Sequence, residues 1–182
     1  MSDLHTLTEF LLEQHGIPQS LSADMTQLLS TSWERTLSEG EAICTEGQPS
    51  QEMWFLVSGA VQVSKRDFLG EDKPLAALHA PAVLGHMGLV NRTSRSATVR
   101  ALKPSVVRVV EAHRFDVLLG EISPVGDAFR RLLISSMMEQ LGRGNRELSF
   151  LLHPEDAKTV EEISHEDRLI RAEASFDGWK RD

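Results

Sequence analysis

Cys44 is the single cysteine in a chain of 182 residues. No internal disulfide can form and no metal site made of cysteines alone is possible, so a cytoplasmic setting is the expectation. No apolar run approaches the roughly 18 residues of a membrane span, and no membrane association is expected. The first residues, MSDLHTLTEF, have neither the basic start nor the apolar centre of a secretion signal. Clustered basic charge is also missing: 19 Lys and Arg stand against 27 Asp and Glu, a net charge of −8. Phosphate backbones need Lys and Arg in patches, so general nucleic-acid binding is disfavoured. The deficit is uneven. The residues from His153 onward hold nine acidic and five basic side chains, which leaves the body only mildly acidic and able to hold a local cationic site.

What remains is an ordinary soluble composition, 41% hydrophobic and 25% charged, in a length that suits one domain with accessories. Leu4, Leu7, Phe10, Leu11 and Leu12 recur at helical spacing and predict a first helix that ends near Gly16 and Pro18. Ser20 or Ser22 caps a second, carrying Leu21, Met25, Leu28 and Leu29. From about Arg35 to Phe115 the pattern changes to short β-prone runs: Ala42–Thr45, MWFLVS (53–58), AVQVSK (60–65), Leu75–His79, Ala82–Leu84, Ser96–Ala101 and Val106–Glu111. The two runs flanking Gly59 read as a hairpin with a tight turn. Phe115–Leu119 begins another helical stretch, and a longer helix is expected from about Pro124 to Leu152. Its Leu133, Met137, Leu141, Leu148 and Leu152 follow a coiled-coil-like spacing interrupted by Gly142 and Gly144.

The fold class expected is therefore mainly β with flanking helices (α+β): an antiparallel β-roll or jelly roll with short N-terminal helices and a long C-terminal helix. The layout is residues 1–34 for the N-terminal helices, 35–115 for the roll and 116–152 for the C-terminal helices. Residues 153–182 form a charged tail, a marginal helix or no fixed structure. Cys44 and Trp54 read as buried apolar residues, Trp33 and Trp179 have no readable role, and Arg92 and Arg100 read as solvated or paired.

Two glycine patterns sharpen this. The first is Gly40-Glu41, Ile43, Gly47, the run Met53–Val57 and Gly59, followed by Val61 and Val63. The second is Gly85-His86-Met87-Gly88-Leu89, a loop over Val90–Ser94, then Arg95-Ser96-Ala97-Thr98-Val99. Together and in this order they resemble the cyclic nucleotide-binding domain superfamily of the catabolite activator and protein-kinase regulatory subunits, across roughly residues 5–152. The resemblance implies that the second pattern is a phosphate-binding cassette. A short helix starting near His86 would aim free amides at phosphate oxygens, and Arg95 would present a planar cationic fork, assisted by Ser96. The implied phosphate-site residues are Gly85, Met87, Gly88, Arg95, Ser96 and Ala97. His86 stands where the family has a glutamate that accepts a hydrogen bond from the ribose 2′-hydroxyl. Imidazole lacks that charge and second oxygen. Gln140, Arg143 and Asn145 on the long helix are the candidates for contact with the base.

The function implied is a non-enzymatic regulatory sensor or adaptor that binds a cyclic nucleotide, cAMP first, and signals through its C-terminal helix as a homodimer to a further protein. The alternative is a domain of the same fold that has lost the nucleotide and serves as a constitutive dimerisation or docking module. No cofactor or metal is expected. A cupin-type metal enzyme would need two histidines one residue apart, whereas His79 and His86 are seven apart; Gly-x-Ser-x-Gly is absent as well. The segment after Leu152 is too short and too acidic for the helix-turn-helix module of a catabolite activator, so DNA binding of that kind is not expected.

Overall fold

The computed structural model describes the backbone of residues 2–152 and the side chains of residues 4–145. Helices α1 (Ser2–Gln14) and α2 (Ser22–Ser30) are joined through a 3-10 turn at Gln19–Leu21. The apolar stripes read from the sequence are the faces they bury, Leu7, Leu11 and Leu12 on α1 and Met25, Leu28 and Leu29 on α2. Eight strands follow: β1 (Trp33–Leu37), β2 (Ala42–Cys44), β3 (Glu52–Ser58), β4 (Ala60–Arg66), β5 (Asp72–His79), β6 (Ala82–Leu84), β7 (Thr98–Ala101) and β8 (Ser105–Glu111). A one-turn helix α3 (His86–Val90) lies between β6 and β7, and α4 (Ala112–Gly120) and α5 (Pro124–Leu152) follow β8. The strands form two four-stranded antiparallel sheets, ordered β1-β8-β3-β6 and β2-β7-β4-β5.

That topology corrects the hairpin expected at Gly59. β3 pairs with β6 and β8, while β4 pairs with β5 and β7, so the chain crosses between sheets at Gly59. The glycine has φ +97, and a β-carbon on it would fall 2.7 Å from the Cα of Ser105. Ser105 Oγ in turn accepts the amide of Ala60 at 3.1 Å. The corner is closed by a residue 45 positions away. A turn signal between two apolar runs marks that the chain reverses, not which partners the two strands take.

β3 is buried on both sides, which explains its unbroken run MWFLV where alternation would be expected of a half-solvated strand. Met53 and Phe55 face a core shared with α1, α2, α4 and the start of α5. Trp54 and Leu56 face the interior of the roll, with Leu37, Ile43, Cys44, Val61, Leu84, Val99 and Val107. Burial raises the Cys44 thiol pKa, as suits a small apolar residue.

Two compact units divide the chain, residues 1–137 and 138–182, and the roll lies in the first. The stripe expected along α5 is buried at its start and exposed farther along. Leu133 is 2% exposed and packs in the core with Phe129 and Leu132, whereas Leu141 is 67% exposed. Among the described residues of α5 the exposed large apolar positions are Ile134, Met138 and Leu141, at spacings of four and three. α5 runs through Gly142 and Gly144. The expectations for Leu148, Leu152 and residues 153–182 lie outside the described side chains. Among the described residues, no helix is long and apolar enough to cross a membrane, and no group of three His, Cys, Asp or Glu could hold a metal ion.

Candidate ligand-binding site

β6 ends at Leu84 and Gly85 turns the chain into α3. Gly85 has φ +76, the left-handed region open to glycine, and a β-carbon there would lie 2.5 Å from the Trp54 ring and 2.9 Å from Arg95 Nη1. His86, the first residue of α3, is 0% exposed. Met87 is exposed beside it. Gly88 is packed so tightly that a β-carbon would fall 2.0 Å from Ser50 Oγ, a buried hydroxyl that makes no hydrogen bond. The loop returns through Arg92, a non-glycine residue at φ +52, and is closed by Thr93 N donating to Gly88 O at 3.0 Å.

Arg95 is 7% exposed and gathers several segments. Its Nη1 donates to Gly85 O at 2.8 Å and its Nη2 to Glu52 O at 2.5 Å. The guanidinium carbon sits 4.3 Å from the centroid of the Trp54 ring, a cation–π contact inside the roll. The main chain of Arg95 is held too: its amide donates to Gln48 O at 2.8 Å and its carbonyl accepts from Gly47 at 2.9 Å. Burial lowers the Arg95 pKa, while Cys44 and Glu52 act in the opposite direction. No carboxylate among the described residues is in ion-pair contact with it; the Glu52 side chain accepts from the Trp54 indole at 3.1 Å instead.

Of the cassette residues read from the sequence, Gly85 and Arg95 meet directly, in a more buried form than a waiting phosphate fork. His86, the residue after Gly85, is fully buried. Ser96 is exposed and Ala97 half-buried, on the way into β7. A cleft of about 330 Å³ opens at the cassette loop, lined among others by Ser50, Leu89, Arg92, Ser94 and Asp116, without Arg95. Arg92 is paired there with Asp116 at 3.2 Å, and Arg100 donates to Gly40 O at 2.6 Å. The three candidates for the base lie on the part of α5 in the second unit, Gln140 half-buried and Arg143 and Asn145 exposed. Sequence reasoning missed Glu52, the part Trp54 plays at Arg95, and the segment 47–52 that Arg95 grips. Glu52 sits 43 positions from Arg95, and only the pairing of distant strands unites them.

Residues 34–121 match the family described as the cyclic nucleotide-binding domain. The match spans the roll and just under half of the chain. Over 100 residues, 54% of this chain, it is 38% identical to Glutaminase 1 of Bradyrhizobium diazoefficiens. Over 97 residues, 53% of the chain, it is 30% identical to a cyclic nucleotide-gated potassium channel of Mesorhizobium japonicum. The chain spans 15% and 25% of the lengths of these two relatives. A cyclic nucleotide-binding domain from Methylobacillus flagellatus superposes with a TM-score of 0.67 at 20% identity, covering 83% of this chain and 85% of that one. At that identity the likeness concerns the fold.

Proposed function

We propose that this protein is a non-enzymatic, cytoplasmic regulatory sensor that takes a cyclic nucleotide, cAMP first, with the cyclic phosphate at Arg95. The observation that carries this reading is the buried guanidinium without an anionic partner in contact among the described residues. A cation removed from water is costly unless a counter-charge or several dipoles meet it. Here two neutral carbonyls and an aromatic face do so, leaving three of the five N–H donors of the fork for an anion. Gly85, Met87, Gly88, Ser96 and Ala97 complete the phosphate site. Gln140, Arg143 and Asn145 are the partners of the base, and α5 carries the output. Its exposed Ile134, Met138 and Leu141 suit a second copy of the chain.

A specific observation favours the alternative, a docking module that binds no nucleotide. His86 is fully buried where the family has its ribose-binding carboxylate, and the Arg95 fork already holds Gly85 and Glu52. Titration calorimetry with cAMP, cGMP and cyclic dinucleotides separates the two readings, using wild type and Arg95→Met, which keeps the stem and removes the charge. Binding by wild type that falls at least tenfold in a folded Arg95→Met supports the sensor. Binding unchanged by the substitution removes the phosphate from Arg95, and no binding by wild type favours the docking module.

A further inference from the structure

Arg95 holds the segment Gly47–Glu52 at three points: its carbonyl on Gly47 N, its amide on Gln48 O and its guanidinium on Glu52 O. The peptide just before Glu52 is the attachment of α4, because Ala112 N, at the first residue of that helix, donates to Gln51 O at 2.7 Å. The segment also carries Ser50, packed against Gly88 of α3. One strap thus runs between the cassette arginine and the helix that leaves the roll. Behind the arginine stands Trp54, whose ring supports the guanidinium at 4.3 Å and meets the backbone of Gly85, while its indole N–H is fixed by the Glu52 carboxylate.

We propose that Trp54 is a positioning residue of the anion site and that the strap 47–52 is the element through which occupancy of that site reaches α4. This rests on the assignment of the phosphate to Arg95. An anion that draws the guanidinium toward itself loosens its bond to Glu52 O. The strap then shifts, and with it Gln51 O, the acceptor of the first amide of α4. Trp54 sets where the guanidinium rests before the anion arrives, so it acts on binding through Arg95 without touching the ligand.

Two measurements test this. The first is cAMP affinity in Trp54→Phe and Trp54→Leu, with folding followed by circular dichroism. Removing the aromatic face is expected to weaken binding about tenfold in Trp54→Leu, while Trp54→Phe, which keeps a ring, stays within about threefold of wild type. A folded Trp54→Leu that binds like wild type overturns the positioning role. The second is amide exchange without ligand, comparing wild type with Arg95→Met. Exchange at Ala112 is expected to accelerate at least tenfold, with the α2 amides of Leu28 and Leu29 unchanged. Acceleration at all of these reports global loosening, and none at Ala112 reports no link; either result removes the strap. If wild type binds no cyclic nucleotide, the ligand assignment falls and takes both roles with it, and the ligand-free exchange then reports only whether Arg95 and Ala112 are linked through the strap.

Discussion

The tightest joint of the cassette is Gly85, and Gly85→Ala gives a prediction whose size follows from two separable causes. The first is backbone conformation. At φ +76 an L side chain meets its own carbonyl, a cost of about 1–2 kcal/mol. The second is contact. The new methyl would lie 2.5 and 2.7 Å from two carbons of the Trp54 ring, and that ring is 1% exposed, so it has no free space to move into. Forcing one methyl into a filled interior adds about 1–3 kcal/mol. The sum is about 3 kcal/mol, which for a unit of this size lowers the melting temperature by about 10 °C.

Gly16→Ala is the control that separates the two causes. Gly16 also has positive φ, +59, but a β-carbon there meets nothing within 4 Å. Only the conformational cost applies, about 1 kcal/mol and about 4 °C. Thermal melts by circular dichroism measure both, and a double-mutant cycle with Trp54→Leu isolates the contact, since removing the ring should relieve part of the damage at Gly85. A Gly85→Ala protein no less stable than Gly16→Ala, or fully additive with Trp54→Leu, refutes the packing of cassette, tryptophan and arginine described here.

Two further outcomes are expected. His86→Glu should tighten cAMP about tenfold if the ribose contact is the missing element. Because residue 86 is fully buried, the free variant should also melt lower than wild type and recover on adding cAMP; calorimetry and melts that show neither place the defect elsewhere in the pocket. His15 packs beneath α5 with Nδ1 3.2 Å from Ser135 Oγ, and burial lowers its pKa from 6.5 to about 4. A histidine depressed in the folded state favours folding above its unfolded pKa and is a liability below it. Stability should therefore fall as pH drops from about 6.5 to 4, by about 3 kcal/mol in all. His15→Gln should flatten that part of the denaturant-measured profile, and an equally steep profile in the variant assigns the loss to other groups.

The parts legible in the sequence are those set by near neighbours. The left-handed turn at Gly85, the one-turn helix after it and the entry into β7 are local events. So is β6, bounded by Pro81 and Gly85, which runs over the expected residues. The stripes of α1 and α2 were readable because each helix buries a single face. The parts that escaped depend on partners far away in the chain. Gly59 turns a corner between sheets because Ser105 and the partners of β3 and β4 arrive later in the sequence. On α5 the helical phase was readable, but not how far along the helix the buried stretch runs: Leu133 packs with α1, α2 and α4, whereas Leu141 is exposed. Arg95 was found by its local motif but its setting was not legible, since a buried arginine is defined by what it touches.

That setting changes the thermodynamics of ligand capture. Hydrogen bonds to a charged acceptor are roughly twice as strong as those to a neutral one, so a phosphate taking over the N–H groups now on Gly85 and Glu52 gains about 1 kcal/mol per bond. A carbonyl left buried without a donor loses about 1–3 kcal/mol. An exchange that strands both carbonyls is therefore unfavourable at those bonds, even though the incoming group is an anion. Two routes avoid the loss. The phosphate can take only the three N–H groups that remain, which leaves the strap unmoved and the site silent. Alternatively the strap moves and water reaches the freed Glu52 carbonyl, a short path because Gly47, Gln48, Pro49 and Gln51 are already exposed. On the second route binding and movement are one event: the phosphate gains its bonds only as the strap releases its own, and the Gln51 anchor of α4 moves with it.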